Sequence, residues 1–154
     1  ATAFGCSIQG KVEKRRVFEI VDKMLALGLA EIIIADTVGF GTPYEVKKIM
    51  KKVVEICETT PVGCHFHDTR GTGIANVVSA VDVGVRKFDS SIQGLGGCPF
   101  APGASGNIAT EDCVHLLERL GFSTGIDFEK LITCFQLYFF FYRSFYKRYH
   151  ILQK

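Results

Sequence analysis

Apolar positions along this 154-residue chain recur at two alternating periods, and the alternation predicts its elements. From Lys11 to Leu27, the residues Val17, Ile20, Val21, Met24 and Leu25 return every three or four positions, which predicts a helix. Gly28 follows where a left-handed residue would end it. Glu31-Ile32-Ile33-Ile34-Ala35 is β-branched and does not alternate, as expected of a strand covered on both faces in a parallel sheet. Asp36 and Thr37 are the polar residues at its carboxyl end. Thr42-Pro43-Tyr44-Glu45 then carries an N-cap, a proline at the first helical position and a capping-box glutamate. The helix it opens runs through Val46, Ile49, Met50, Val53 and Val54 to about Cys57.

The same rhythm continues to the end of the chain. After Thr59-Thr60-Pro61 comes a strand carrying His65 and His67, and a helix runs from Ile74 to about Val83, stopped by Gly84. Lys87 to Ile92 predicts another strand, followed by a Gly-rich loop over 93–107. A helix is expected from Thr110 to Leu120 with Gly121 as its cap, and Asp127 caps a last one. Thr2 to Ser7 reads as the end of a buried strand, with Gly5 allowing close backbone approach. The order is then β-α-β-α-β-α-β-α at roughly 25–30 residues per unit, as right-handed crossovers require. Polar residues gather after the strands, where a (β/α) barrel or a flavodoxin-like open sheet puts its site. A barrel needs eight strands and about 250 residues. The expected class is α/β: about four βα units with parallel strands, a partial TIM (β/α)8 barrel.

Composition narrows the chemistry. Lys and Arg number 18 against 16 Asp and Glu, so no charge imbalance points to nucleic acid, and no basic stripe with aromatics precedes the tail. The six cysteines form no CxxC pair and sit in apolar or strand-like contexts, which fits a reducing compartment. The opening ATAFGCSIQG has no basic n-region followed by a long apolar run, so no secretory signal is read there.

His65-Phe66-His67 is the centre of the candidate chemistry. Residues i and i+2 of a strand share a face, so both imidazoles would project together while Phe66 packs behind. Such a pair either holds a metal or forms an inert hydrogen-bonded strand end. Asn107, in Gly103-Ala104-Ser105-Gly106-Asn107, offers an amide oxygen as a third ligand or a set of turn hydrogen bonds. Two nitrogens and an amide oxygen with open positions would suit Mg²⁺ or Mn²⁺, and Zn²⁺ also fits. Cys98, in Gly94-Leu95-Gly96-Gly97-Cys98-Pro99, is either a thiol carried on a loop that can close or a small residue in a tight turn. Asp36 is an acid/base candidate or a cap for the loop after it. Asp68 should face away from the histidines in a structural role. Arg70 would meet an anionic substrate or a surface partner.

Four segments together resemble the hydroxymethylglutaryl-CoA lyase family, in the group of metal-dependent aldol and Claisen barrels. They are Ala35-Asp36-Thr37-Val38-Gly39 with Thr42-Pro43; Cys64 to Thr69; Gly94 to Pro99; and Gly103 to Asn107 with Thr110-Glu111-Asp112. Phe100-Ala101-Pro102 and Thr69-Arg70-Gly71 look closer to bacterial relatives, which include a citramalyl-CoA lyase branch. The resemblance covers residues 1–132, which it implies to be the carboxy-terminal half of a pyruvate-carboxyltransferase/HMG-CoA-lyase-like barrel.

By that resemblance His65, His67 and Asn107 are ligands of a divalent cation, Mg²⁺ or Mn²⁺, and Asp36, His65 and Cys98 are catalytic. The implied reaction is retro-Claisen cleavage of a 3-hydroxy-3-methylglutaryl thioester to acetyl-CoA and acetoacetate. The cation chelates the 3-hydroxyl and a neighbouring oxygen, a base takes the hydroxyl proton, the C2–C3 bond breaks, and the thioester enolate is protonated, with Cys98 as donor. The implied partner is an acyl-CoA thioester, with no nucleic acid and no membrane, and the intact family enzyme is expected to be a homodimer. The expected compartment is the cytoplasm for a bacterial-like chain and the mitochondrial matrix for a eukaryotic one.

Two departures from the family pattern are expected to matter. The family's amino-terminal half, with its Arg-Asp pair on the first strand and a further site Glu, is not in this sequence, so the chain reads as a fragment that is inactive alone. Residues 133–154 lose the pattern: Phe135 to Tyr149 holds nine aromatic residues, and with Lys154 the tail has four basic residues and no acid. A membrane-interface helix is one reading. The favoured one is an aberrant tail, out-of-frame translation appended to a truncated gene.

Overall fold

The computed structural model describes residues 1–97 and 106–151, with side chains to residue 140. Three parallel strands alternate with helices. The order is α1 (Lys14–Leu25), β1 (Ile32–Asp36), α2 (Pro43–Cys57), β2 (Val62–Phe66), α3 (Gly73–Val81), β3 (Lys87–Asp89), a 3₁₀ turn (Ile92–Gly94), α4 (Thr110–Arg119) and α5 (Phe128–Ile151). The sheet order is β1-β2-β3, with Ile32 opposite Val62 and Gly63 opposite Lys87.

The helices begin and end for the reasons their sequences suggest. Thr42 accepts the Glu45 N–H at 3.4 Å and its hydroxyl meets the Glu45 carboxylate at 3.0 Å, so α2 starts on its cap with Pro43 behind it. Gly28, Gly84 and Gly121 all take positive φ after their helices. Asp127 Oδ1 accepts the Lys130 N–H at 3.1 Å, which caps α5. The apolar faces of α1, α2 and α3 meet the sheet in one core of Val21, Ile32, Val46, Met50, Val53, Cys64, Phe66, Val77, Ile108 and their neighbours.

Two expectations are corrected. Thr2 to Ser7 is not a strand, and the described residues contain three strands rather than four. Gly5 (φ +151°) and Gly10 (φ +76°) turn the chain into a tight antiparallel bridge between Cys6 and Gly10. Only the Ala3 N–H reaches β1, donating to Ala35 O at 3.0 Å. The close approach expected at Gly5 is real: a Cβ there would lie 2.7 Å from the Phe40 ring. The strand expected through Ile92 stops at Asp89, because the chain tightens into the 3₁₀ turn with Gln93 at φ +57°. The aromatic tail enters α5, which continues through residue 133 without a break. No helix among the described residues is long and apolar enough to cross a membrane.

Candidate functional site

The site is built at the carboxyl end of β2. Beyond Phe66 the chain is met by residues 106–108 running antiparallel to it: Ile108 N–H donates to Phe66 O at 3.0 Å and Asp68 N–H to Gly106 O at 2.9 Å. This bridge sets Asn107 opposite His67. On the other side, the β1 terminus receives the His67 N–H at Asp36 O, 3.3 Å away. His67 is therefore fixed by backbone bonds from two directions.

The two imidazoles come together, their ring centroids 5.2 Å apart. His65 is half-buried, and its Nδ1 lies 3.5 Å from the Asp89 carboxylate on β3. His67 is buried, and its Nδ1 has no hydrogen-bond partner. Burial, with His65 beside it and Asp36 opposing, lowers the His67 pKa and so favours the neutral imidazole that a metal requires. Asn107 completes the set. Its Nδ2 donates to Leu95 O at 2.7 Å and to Ser91 Oγ at 3.3 Å, while its buried Oδ1 has no partner. The nitrogen makes the turn bonds of one reading, and the oxygen has no partner.

A buried acceptor without a donor costs about 1–3 kcal/mol unless something binds it. Thr69 Oγ1 and Asn76 Oδ1 are also buried without a partner, but His67 Nδ1 and Asn107 Oδ1 belong to residues paired across one backbone bridge. Imidazole nitrogen suits borderline cations such as Zn²⁺ and an amide oxygen suits harder ones, so both are donors to a divalent cation. Among the described residues no three His, Cys, Asp or Glu side chains cluster to hold a metal, and the candidates read from the sequence are His65, His67 and the Asn107 oxygen.

The other candidates fall into different places. Asp36 is fully buried, and its two oxygens accept the N–H groups of Phe40 at 2.9 Å and Gly41 at 2.7 Å. That is the loop-capping geometry. Desolvation raises its pKa against the lowering effect of those bonds. Asp68 turns away from the histidines and caps α3 through Gly73 N–H at 2.6 Å. Arg70 spans the rim: it donates to Val38 O at 2.8 Å and Gly39 O at 3.3 Å, and its guanidinium stacks 4.4 Å from the Phe40 ring centroid. Cys98 lies outside the described residues.

Three contributors are not among the candidate site residues read from the sequence. Asp89, on the short strand β3, is the direct register partner of His65. Ser91 orients the Asn107 amide. Glu111 accepts the Gln93 N–H with both oxygens at 3.2 Å, pinning the 3₁₀ turn. The parallel pairing of two adjacent predicted strands was the signal that could have found Asp89.

The HMGL-like family model matches residues 1–137. Hydroxymethylglutaryl-CoA lyase of Bos taurus mitochondria is 44% identical over 128 residues, covering 83% of this chain and 39% of that protein. The (R)-citramalyl-CoA lyase of Chloroflexus aurantiacus is 46% identical over 131 residues, covering 85% of this chain and 41% of its own length. The structure of an HMG-CoA lyase from Acinetobacter baumannii in complex with coenzyme A and 3-methylmalate superimposes with a TM-score of 0.83 at 48% identity, covering 87% of this chain and 44% of that one. The chain thus spans about two fifths of the length of the curated relatives it matches. With the family model covering most of its residues and the histidine–asparagine rim in place, the chain belongs to the HMGL-like family.

Proposed function

We propose that this chain supplies the cation-binding rim of a lyase that cleaves the carbon–carbon bond of a 3-hydroxyacyl-CoA, and that it corresponds to the carboxy-terminal half of the barrel. The observation that carries the reading is that His67 Nδ1 and Asn107 Oδ1, on residues paired across one backbone bridge, are both buried without a hydrogen-bond partner. The substrate is 3-hydroxy-3-methylglutaryl-CoA, and the products are acetyl-CoA and acetoacetate. A divalent cation, Mg²⁺ or Mn²⁺, held by His65, His67 and Asn107 would acidify the substrate hydroxyl and polarise a neighbouring carbonyl.

The chain's own residues do the rest. The hydroxyl proton leaves to a base at the rim. The electron pair of the broken C2–C3 bond passes to the thioester carbon skeleton, which takes up one proton to become acetyl-CoA; Cys98 is the donor. Asp36 acts from below, holding the Phe40–Gly41 turn and placing negative charge near His67. Arg70 keeps the neighbouring loop in place from its bonds to Val38 and Gly39.

A second substrate is favoured by the 46% identity to the citramalyl-CoA enzyme. Citramalyl-CoA is also a tertiary alcohol β to a thioester, so the same rim would cleave it, to acetyl-CoA and pyruvate. The test combines this chain with the amino-terminal part of a family relative and follows acetyl-CoA release from each thioester with added Mn²⁺. Release that His67→Asn and Asn107→Ala each abolish supports the reading. Release that neither substitution reduces refutes it.

A further inference from the structure

We propose that Asp89 is a positioning residue for the cation site: its carboxylate accepts the Nδ1 proton of His65 and so fixes the tautomer whose free lone pair is on Nε2. This role rests on the cation-centred lyase reading above. The placement is enforced by the backbone. His65 and Asp89 are Cα partners in the parallel β2–β3 pair, so their side chains leave the sheet on the same face. Phe88, one position earlier, is paired with buried Cys64 on the opposite face.

The result is a 3.5 Å approach between His65 Nδ1 and Asp89 Oδ2. Neutral imidazole has one N–H and one lone pair, and the group bonded to one nitrogen decides which nitrogen is left for a metal. A carboxylate at Nδ1 accepts its proton and holds the ring's orientation. The two histidines of the rim are then set by different means. His67 is fixed by backbone bonds and burial, and half-buried His65 by a side chain from the next strand. Without Asp89 the more exposed ring would rotate and exchange tautomers, and the cation would lose an oriented ligand.

The experiment uses the 154-residue chain, with no substrate. Nitrogen-15 NMR of the imidazoles at mildly alkaline pH reads the tautomer of His65, and the EPR signal of free Mn²⁺ reads the dissociation constant of the metal alone. The wild type should show His65 as the Nδ1–H form. Asp89→Ala should give a mixed tautomer and weaken Mn²⁺ by about 10- to 100-fold, the usual effect of losing such an outer partner. Asp89→Asn keeps an acceptor oxygen without the charge, and its tautomer should stay as in the wild type with an intermediate loss of affinity. An Nε2–H His65 in a wild-type chain that binds Mn²⁺ overturns the role of Asp89 alone, as does an Ala variant that binds within about twofold of wild type. A wild-type chain that binds no Mn²⁺ overturns the cation reading and this role with it. Should the Ala variant fail to fold, the wild-type tautomer and the Asn variant decide the question.

Discussion

At the scale of single residues, the base of the Gly-rich loop is set by sterics. A Cβ on Gly106 (φ +132°) would fall well inside contact distance of Gly94 O, and one on Gly94 (φ +65°) would lie 2.6 Å from Asn107 O. These two glycines let two backbones cross just where Asn107 turns its amide. Gly106→Ala is therefore expected to lower stability by about 1–3 kcal/mol and to weaken Mn²⁺ binding, because Asn107 must move with the backbone. Urea unfolding and Mn²⁺ EPR measure the two effects, and an Ala variant unchanged in both would contradict the crossing.

The thiols make a second residue-scale prediction. Burial pushes Cys113 up to about 11 and Cys64 higher still, and it raises Cys57 as well. Cys6 is lowered by backbone N–H groups at Gln9 and Ile8. The thiolate is the reactive form, so an aromatic disulfide reagent near neutral pH should label Cys6 in the native chain and reach Cys57, Cys64 and Cys113 only on unfolding. Labelling of Cys64 at the rate of Cys6 would show that the sheet opens.

Asp36 gives a pH dependence with a definite sign. Its folded pKa is raised, chiefly by desolvation, so the folded chain holds this proton more tightly than the unfolded one. Its contribution to stability is fullest below the ordinary Asp range and is lost as pH rises through the folded value. The stability of the wild type relative to Asp36→Asn should consequently fall as pH rises from acid to neutral, read from paired urea titrations. A difference that grows with pH would mean that the bonds from Phe40 and Gly41 outweigh burial.

At the scale of elements, what could be read from the sequence was what local rules decide. The cap at Thr42 was legible because threonine, proline and glutamate each act within one turn, and Thr42→Ala should cost about 1 kcal/mol in a urea titration. The helices were legible from their periodicity, and β1 from its unalternated β-branched run. The segment Thr2 to Ser7 was misread because its alternating small and apolar residues imitate a strand, whereas its course is set by two positive-φ glycines. The strand 87–92 was overextended for a related reason: Ser91 spends its backbone on Ile108 and Thr110, which only the folded return of residues 106–108 provides. The two histidines were visible as a pair because strand periodicity is local. That Asn107 meets them depends on a contact 40 residues away in sequence, and that Asp89 meets His65 depends on strand register. Long-range pairing was the part that spacing alone did not contain.

At the scale of the whole molecule, a three-stranded parallel sheet is short of closure. Parallel sheets are normally covered on both faces and at their edges. Among the described residues β1 and β3 are the edge strands, with β1 receiving the single bond from Ala3. Each edge adjoins an open apolar cavity: one of about 290 Å³ lined by Val17, Val21, Ile33 and Met24, and one of about 310 Å³ lined by Val85, Phe88, Leu117 and Phe122. Leu137, Phe139 and Phe140 add exposed apolar surface on α5. Unpaired strand edges beside apolar cavities drive association. The isolated chain should therefore self-associate as its concentration rises, followed by size-exclusion chromatography with light scattering, and should show no acetyl-CoA release by itself. On the proposed function, adding the amino-terminal part of a family relative should reduce that association and tighten Mn²⁺ binding together. Reduced association with unchanged Mn²⁺ affinity would separate closure of the sheet from completion of the site. A chain that stays monomeric at high concentration and turns over substrate unaided would show that three strands are enough.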